Sequence, residues 1–424
     1  MKATIKHVST DNSLIFVSYF CSIKGMVMAE WANDKLRVLS KDKRTTYVLT
    51  GLNSETVNTE FINYIHIPSL SWRDFNWEVK ELKRNSKMLS SINKLHYPIA
   101  FTFGRVFDFM TKKWLTESSA ARWSWAFTSF PVAIYLKIRF NCKEIFCTGG
   151  ATGGHLLGLF MSFLPTMNVF FEFQDPLLGA EMERSVTNNN AISKLESLFI
   201  KRSKKSIYVT KTAAHNAKER NPNLSFKILS IYPGSWKFSS KKYEIGAVKK
   251  YNTIDLVHLG TLYGNRNLDN FFNAIDKLKS EGYTPAHSIR LFNLGAIYLS
   301  NLDDYLNRKE FQHLEPMDRK SALEYCKNMD ALIIIQHTDK RSQETIPYKI
   351  YDYFNLNMPI IGVINNTELR EILVDNSSIV ADTNSIGSIA SGLKELVNRI
   401  DSKTFININK VDFDISEQFN SIFK

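Results

Sequence analysis

Cysteine is scarce in this chain, with four among 424 residues. Cys21, Cys142, Cys147 and Cys326 are scattered without the paired spacing of a metal site, and an even count does not make a disulfide framework in a chain this long. That excludes a disulfide-stapled scaffold and points to a reducing, cytoplasmic compartment. Glycine and proline, at 18 and 11 positions, are too few for a collagenous or low-complexity chain. The opening MKATIKHVSTDNS lacks the apolar core and small-residue cleavage site of a secretory signal, so export by that route is not expected. Long apolar runs are missing too. The longest, from His155 to Phe173, is broken by Pro165 and carries Glu172, so a helix followed by a strand is expected there, not a membrane span. What remains is globular composition, 44% hydrophobic and 23% charged, in a length that suits two or three domains of roughly 100–200 residues each.

Acidic residues are sparse in the first part of the chain. Residues 1–250 hold 36 Lys/Arg against 19 Asp/Glu, or +17, whereas 251–424 hold 18 against 23, or −5, which together give the net +12. A basic half suits nucleic acid, anionic lipid or phosphorylated substrates, or else a solvated surface.

Apolar runs that end in polar loops and lead into helical patterns recur, as parallel βαβ units require. LIFV (14–17), the helical stretch Met26 to Ser40 and TYVLT make one unit; EIFC (144–147), the loop TGGATGGH, the helical LLGLFMSFL and NVFFEF make a second; SIYVT begins a third. The polar, basic stretch SWKFSSKKYEIGAVKKYN (235–252) is expected to be a linker, and the charge changes sign close to it. IDLVHL (254–259) then restarts the pattern, with Leu268, Phe271, Phe272 and Ile275 at helical spacing and SIRLFNLG, ALIIIQ and PIIGVI as buried strands. Two such domains in tandem would place a ligand in the cleft between them, outside the carboxyl ends of the strands.

The most specific stretch is HTDKRSQETIPYKIYDYFNLNMPIIGVI. Pro347 suits the first turn of a helix that Asn357 closes, which puts Glu344 in the entering loop and Lys349 in the first turn. A cation there opposes the helix dipole, and a bound anion would reverse the sign. A helix start with a lysine suits a diphosphate, and carboxylates nearby can accept hydrogen bonds from sugar or ribose hydroxyls. An ordinary capped amphipathic helix is the other reading. Glu344 and Asp352, eight apart with Pro347 and Lys349 between them, resemble the Glu-x7-Glu region of GT-B glycosyltransferases of family 4, with Asp in the second acidic place. The resemblance implies that Glu344 sits against the donor sugar, Asp352 binds the nucleotide ribose, and Lys349 of the P-x-K element lies near the diphosphate.

GTLYGNRN (260–267), after a strand and before a helix, is similar to the diphosphate loop that opens the family's second domain, where Gly260 allows close backbone approach and Arg266 clamps phosphate oxygens. Thr261 stands where many members carry an arginine. The first half resembles the family more loosely. SYFCSIKG (18–25) looks like the glycine loop after the first strand, with Gly25 close to phosphate or acceptor, and FEFQDP (171–176) looks like a strand-end acid, Asp175, on the acceptor side. TGGATGGH lacks the endings of a P-loop and the spacing of a dinucleotide fingerprint, which excludes ATP and NAD. His155, just past those glycines, faces the acceptor or sugar in this reading, or is structural. Asp303 and Asp304 are adjacent and diverge, so no metal site is expected.

The segment 105–140 mixes Trp114, Trp123, Trp125, Phe127 and Phe130 with Lys112, Lys113, Arg122, Lys137 and Arg139. Such a mixture suits buried core, an anionic membrane interface, or single-stranded nucleic acid. Given the resemblance, the membrane gains and no nucleic-acid partner is expected.

The resemblance implies an α/β, GT-B fold of two Rossmann-like domains facing across a cleft, with residues 1–238 for the acceptor, 239–409 for the nucleotide sugar, and about 410–424 forming a helix that packs back on the first. It implies a hexosyl- or N-acetylhexosaminyltransferase that moves sugar from a nucleoside diphosphate sugar, as co-substrate and without an obligatory cofactor, to a hydroxyl with retention. A lipid-linked glycan of bacterial capsule, O-antigen or lipopolysaccharide synthesis is the acceptor it suggests, on the inner face of the plasma membrane. A nucleotide-sugar 2-epimerase of the same architecture and a non-catalytic sugar-nucleotide-binding subunit are the alternatives.

Overall fold

The computed structural model describes residues 13–23, 26–52, 58–84, 91–115, 122–179, 186–236, 253–402 and 413–424. They divide into two compact units, Met1–Tyr232 with Ile415–Lys424, and Pro233–Asp414. The expected domain limits at 238/239 and 409/410 lie outside the described residues, as does most of the expected linker.

The first unit holds one parallel sheet of β1 (Leu14–Val17), β2 (Thr46–Thr50), β3 (Ile62–His66), β4 (Glu144–Cys147), β5 (Asn168–Phe173), β6 (Lys205–Tyr208) and β7 (Ile228–Ser230), in the order β3-β2-β1-β4-β5-β6-β7. Leu14 of β1 faces Thr46 of β2 on one side and Glu144 of β4 on the other. Every residue of β1 and β2 is buried, as expected of parallel strands covered on both faces.

The second unit repeats the plan with β8 (Ile254–Leu259), β9 (Leu262–Tyr263), β10 (Ile289–Leu294), β11 (Ile297–Tyr298), β12 (Phe311–Leu314), β13 (Ala331–Ile335), β14 (Ile360–Ile364) and β15 (Ile379–Asp382). Its main sheet runs β12-β10-β8-β13-β14-β15, and β9 pairs with β11 beside it. In both sheets the first strand lies between the second and the fourth, the doubly wound order whose switch point is a ligand position. That point falls between β1 and β4 in one unit and between β8 and β13 in the other.

One local expectation is corrected. TGGATGGH is not a loop throughout, because the helix Thr152–Met161 starts inside it and takes in Gly153 and Gly154. Glycine here serves close packing: a Cβ on Gly158 would lie 2.5 Å from Cys147 Sγ and 2.6 Å from a Phe171 ring carbon. The chain ends in the helix Ile415–Asn420, which belongs to the first unit, where Phe419 and Phe423 pack on Phe146.

Candidate active site

The switch point of the second unit is built around the end of β8. Gly260 follows at φ +138, a backbone conformation that glycine alone adopts readily, and its N–H donates to the Leu294 carbonyl at 2.8 Å. A Cβ on Gly295 would lie 2.4 Å from the Gly260 carbonyl oxygen, so both positions require glycine. The helix Lys349–Leu356 clamps onto this strand end from above. Its Tyr353 hydroxyl accepts from the Leu259 N–H at 3.0 Å, and Lys349 Nζ donates to the Leu259 carbonyl at 2.6 Å and to His258 Nε2 at 2.5 Å. His258 in turn bonds through Nδ1 to Asn293 Oδ1 at 2.7 Å, its register partner on β10. Nε2 accepts from lysine, so Nδ1 carries the proton and the imidazole is neutral. Burial first, and then the Lys349 charge, hold its pKa well below the usual histidine range.

Lys349 is a cation held in an unfavourable place. Burial and the Arg266 guanidinium push its ammonium well below the ordinary lysine range. Arg266 projects from a tight turn in which Tyr263 and Arg266 exchange backbone hydrogen bonds of 3.0 and 3.1 Å, with the guanidinium 5.2 Å from the centre of the Tyr263 ring. Its Nε is buried without a hydrogen-bond partner among the described residues. Two cations and a neutral histidine around a glycine turn, at a helix start, form a site complementary to an anion.

The carboxylates are placed differently from each other. Asp352 is buried, and its two oxygens take Arg319 Nε at 2.9 Å, Arg319 Nη2 at 2.6 Å and Ser235 Oγ at 2.7 Å. Glu344 lies half-buried in the loop before the helix. Asn366 Nδ2 fixes that loop by donating to the carbonyls of Ser342, Gln343 and Thr345, and Gln336 Nε2, just past β13, donates to Thr345 as well. The same Asn366 caps the next helix through Leu369 N–H at 2.7 Å. Pro347 stands two residues ahead of the helix, not in its first turn; its carbonyl accepts from Ile350 N–H.

No family model matches this chain, and no curated protein matches it in sequence. Solved structures do match. Anabaena HepE, in complex with UDP and glucose, is 11% identical over 97% of this chain and 98% of its own, with a TM-score of 0.60. An S. aureus TarM mutant, in complex with fondaparinux, alpha-GlcNAc-glycerol and UDP, is 9% identical over 97% and 99%, with a TM-score of 0.61. WaaG, a glycosyltransferase involved in lipopolysaccharide biosynthesis, is 11% identical over 96% and 98%, with a TM-score of 0.58. The fold is GT-B.

In this GT-B chain the first-unit candidates separate. Gly25 lies outside the described residues. Asp175 stands exposed just past the carboxyl end of β5. His155 is buried, stacked 4.9 Å from the Phe173 ring, with Nε2 bonded to the Glu172 carbonyl at 2.8 Å, and burial lowers its pKa. The Glu172 side chain pairs with Lys35 Nζ at 3.1 Å and accepts from Thr148, which ties the ends of β4 and β5 together. Sequence reasoning missed His258, Asn293, Arg319, Ser235 and Asn366. His258 and Asn293 had a signal, each being a polar residue set between apolar ones near the carboxyl end of its strand, in IDLVHL and IRLFNL. Arg319 and Ser235 had none, because only the folded chain brings them to Asp352.

Proposed function

We propose that the chain is a glycosyltransferase of the family-4 type that moves a sugar, with retention, from a nucleoside diphosphate sugar to a hydroxyl of a lipid-linked glycan in bacterial surface-polysaccharide synthesis. The observation that carries this reading is the cationic cluster of Lys349 and Arg266 around Gly260 at the second unit's switch point. UDP is bound in the HepE and TarM structures, which supports a nucleotide donor, and the role of WaaG in lipopolysaccharide biosynthesis supports the pathway.

The second unit takes the donor and the first unit the acceptor. The bond from the sugar to the diphosphate breaks with its electron pair on the phosphate oxygen. A bond to the acceptor oxygen forms, and the hydroxyl proton leaves with the diphosphate. Lys349 and Arg266 stabilise charge on that leaving group, commonly the largest catalytic contribution. Glu344 orients the sugar on its Asn366-fixed loop. Asp352, held in place by Arg319 and Ser235, takes the ribose by accepting from its hydroxyls. Asp175 orients the acceptor, while His155 acts through the β5 end whose carbonyl it holds. No metal is assigned a role, and the protein works at the inner face of the plasma membrane.

The test is nucleoside diphosphate release from UDP-, GDP- and dTDP-sugars, with and without a bacterial lipid extract, with product anomers read by NMR. Extract-dependent release that Glu344→Gln abolishes, with nucleotide binding retained, is the expected result. Epimerised donor without acceptor, or binding without turnover in every arm, would overturn it.

A further inference from the structure

The helix Ser91–Leu115 has two faces that differ in what they touch. One side is fixed to the first unit at four-residue spacing. His96 Nε2 bonds to the Ser69 carbonyl at 2.8 Å, Ala100 is fully buried, Gly104 sits where a Cβ would lie 2.4 Å from the Leu70 carbonyl oxygen, and Asp108 accepts from Ser71 Oγ and from the Arg73 N–H. The opposite side carries Leu95, Ile99, Phe103, Val106, Phe109 and Met110, which recur at helical spacing, all exposed. Phe103 is 69% and Phe109 82% exposed. Singly exposed apolar residues are ordinary, but a contiguous stripe of six on one helix marks an interaction surface. Trp125, which the sequence offered as a membrane anchor, is not part of it: the ring is buried and its Nε1 donates to the Ile67 carbonyl.

The charges say what covers the stripe. Asp108, the only acid in the helix, is turned inward, while Lys94 and Arg105 are exposed beside the stripe. Arg105 lies 4.1 Å from the centre of the Phe101 ring, so the guanidinium rides on aromatic surface. The adjoining helix Trp125–Phe140, joined through a Phe107–Phe127 ring contact at 5.7 Å, has no acid and ends in Lys137 and Arg139. Residues 1–250 carry +17 overall. A second copy of this face would bring like charges together. A surface with anionic headgroups above an apolar layer satisfies both halves of the pattern. Among the described residues no helix is long and apolar enough to cross a membrane, so the helix would lie along the surface.

We propose that the solvent side of the helix Ser91–Leu115 is the docking face of this protein for an anionic bilayer, with Leu95, Ile99, Phe103, Val106, Phe109 and Met110 entering the headgroup boundary. For its biological sense this rests on the lipid-linked acceptor proposed above. The face itself rests on exposure and charge.

The experiment is co-sedimentation of the full chain with vesicles of phosphatidylcholine alone and of equal parts phosphatidylcholine and phosphatidylglycerol. Phe103→Ser combined with Phe109→Ser is compared with the exposed second-unit control Val374→Ser. Binding should require phosphatidylglycerol, weaken with salt, and fall about a hundredfold in the double variant but not in the control. Equal binding of the double variant, or binding indifferent to headgroup charge, would overturn the proposal. A concentration-dependent dimer that the double variant abolishes would do the same and give the face to a second copy. UDP affinity is measured in parallel on each protein. Vesicle binding without nucleotide binding would refute the donor site alone, and nucleotide binding without vesicle binding would refute the docking face alone.

Discussion

Lys349 Nζ donates to a neutral imidazole and a backbone carbonyl, neither of which neutralises its charge, and Arg266 repels it. Its depressed pKa therefore reflects a charge that the unliganded site disfavours. A diphosphate would reverse the local potential and raise the pKa in the complex. Between the free and the bound values, binding takes up a proton, so affinity falls as pH rises through that window. Calorimetry of UDP binding in two buffers of different ionisation enthalpy reads this directly. Net proton uptake is expected, and its absence would remove Lys349 from the diphosphate site. Lys349→Met should abolish the uptake and weaken UDP by about 1.5–3 kcal/mol, roughly ten- to a hundredfold in Kd. His258 and Asn293 belong to the same device, since together they present an acceptor, not a second cation, to the lysine.

At the scale of elements, which strands were legible follows from their place in the sheets. IDLVHL, EIFC and NVFFEF coincide with β8, β4 and β5 because inner parallel strands are buried on both faces and read as apolar runs. The four main-sheet strands not named from the sequence, β3, β7, β12 and β15, are the four sheet edges. FQHL and INYIH carry exposed or half-exposed polar residues there, and their runs are diluted accordingly. The acidic pair, lysine and glycine turn of the candidate site were legible as local motifs, whereas the partners of Asp352 come from distant chain positions. LLGLFMSFL was legible as helical, but the first turn of the helix Thr152–Met161 was read as loop, because Gly153 and Gly154 look like a loop until the sheet beneath them is known. Gly158→Ala tests that account, because its two effects oppose each other. Helix propensity alone favours alanine by up to about 1 kcal/mol. Overpacking against Cys147 and Phe171 costs about 1–3 kcal/mol. Net destabilisation in urea is expected, and a stabilised variant would show that the helix can lift off β4 and β5 freely.

For the molecule as a whole, the last residues belong to the unit in which the chain began. Phe419 and Ile422 are each 1% exposed, Phe423 packs 5.1 Å from the Phe170 ring centre, and Lys205 Nζ donates to the Ile422 carbonyl. The first unit thus needs residues 415–424, which follow the second unit in sequence, while the proposed donor site draws on residues of the second unit alone. Two units with separate cores are not expected to unfold as one two-state system. Phe419→Ala removes a buried ring that touches Phe146 and Phe423, a loss of about 3–5 kcal/mol. Calorimetric scans should show one transition moved down by this substitution and a second left in place. UDP at a hundredfold excess over its Kd should stabilise only the second, by about 2.7 kcal/mol. If Phe419→Ala lowered UDP affinity, or if UDP raised both transitions equally, the two units would be energetically coupled, and the donor site could no longer be assigned to the second unit alone.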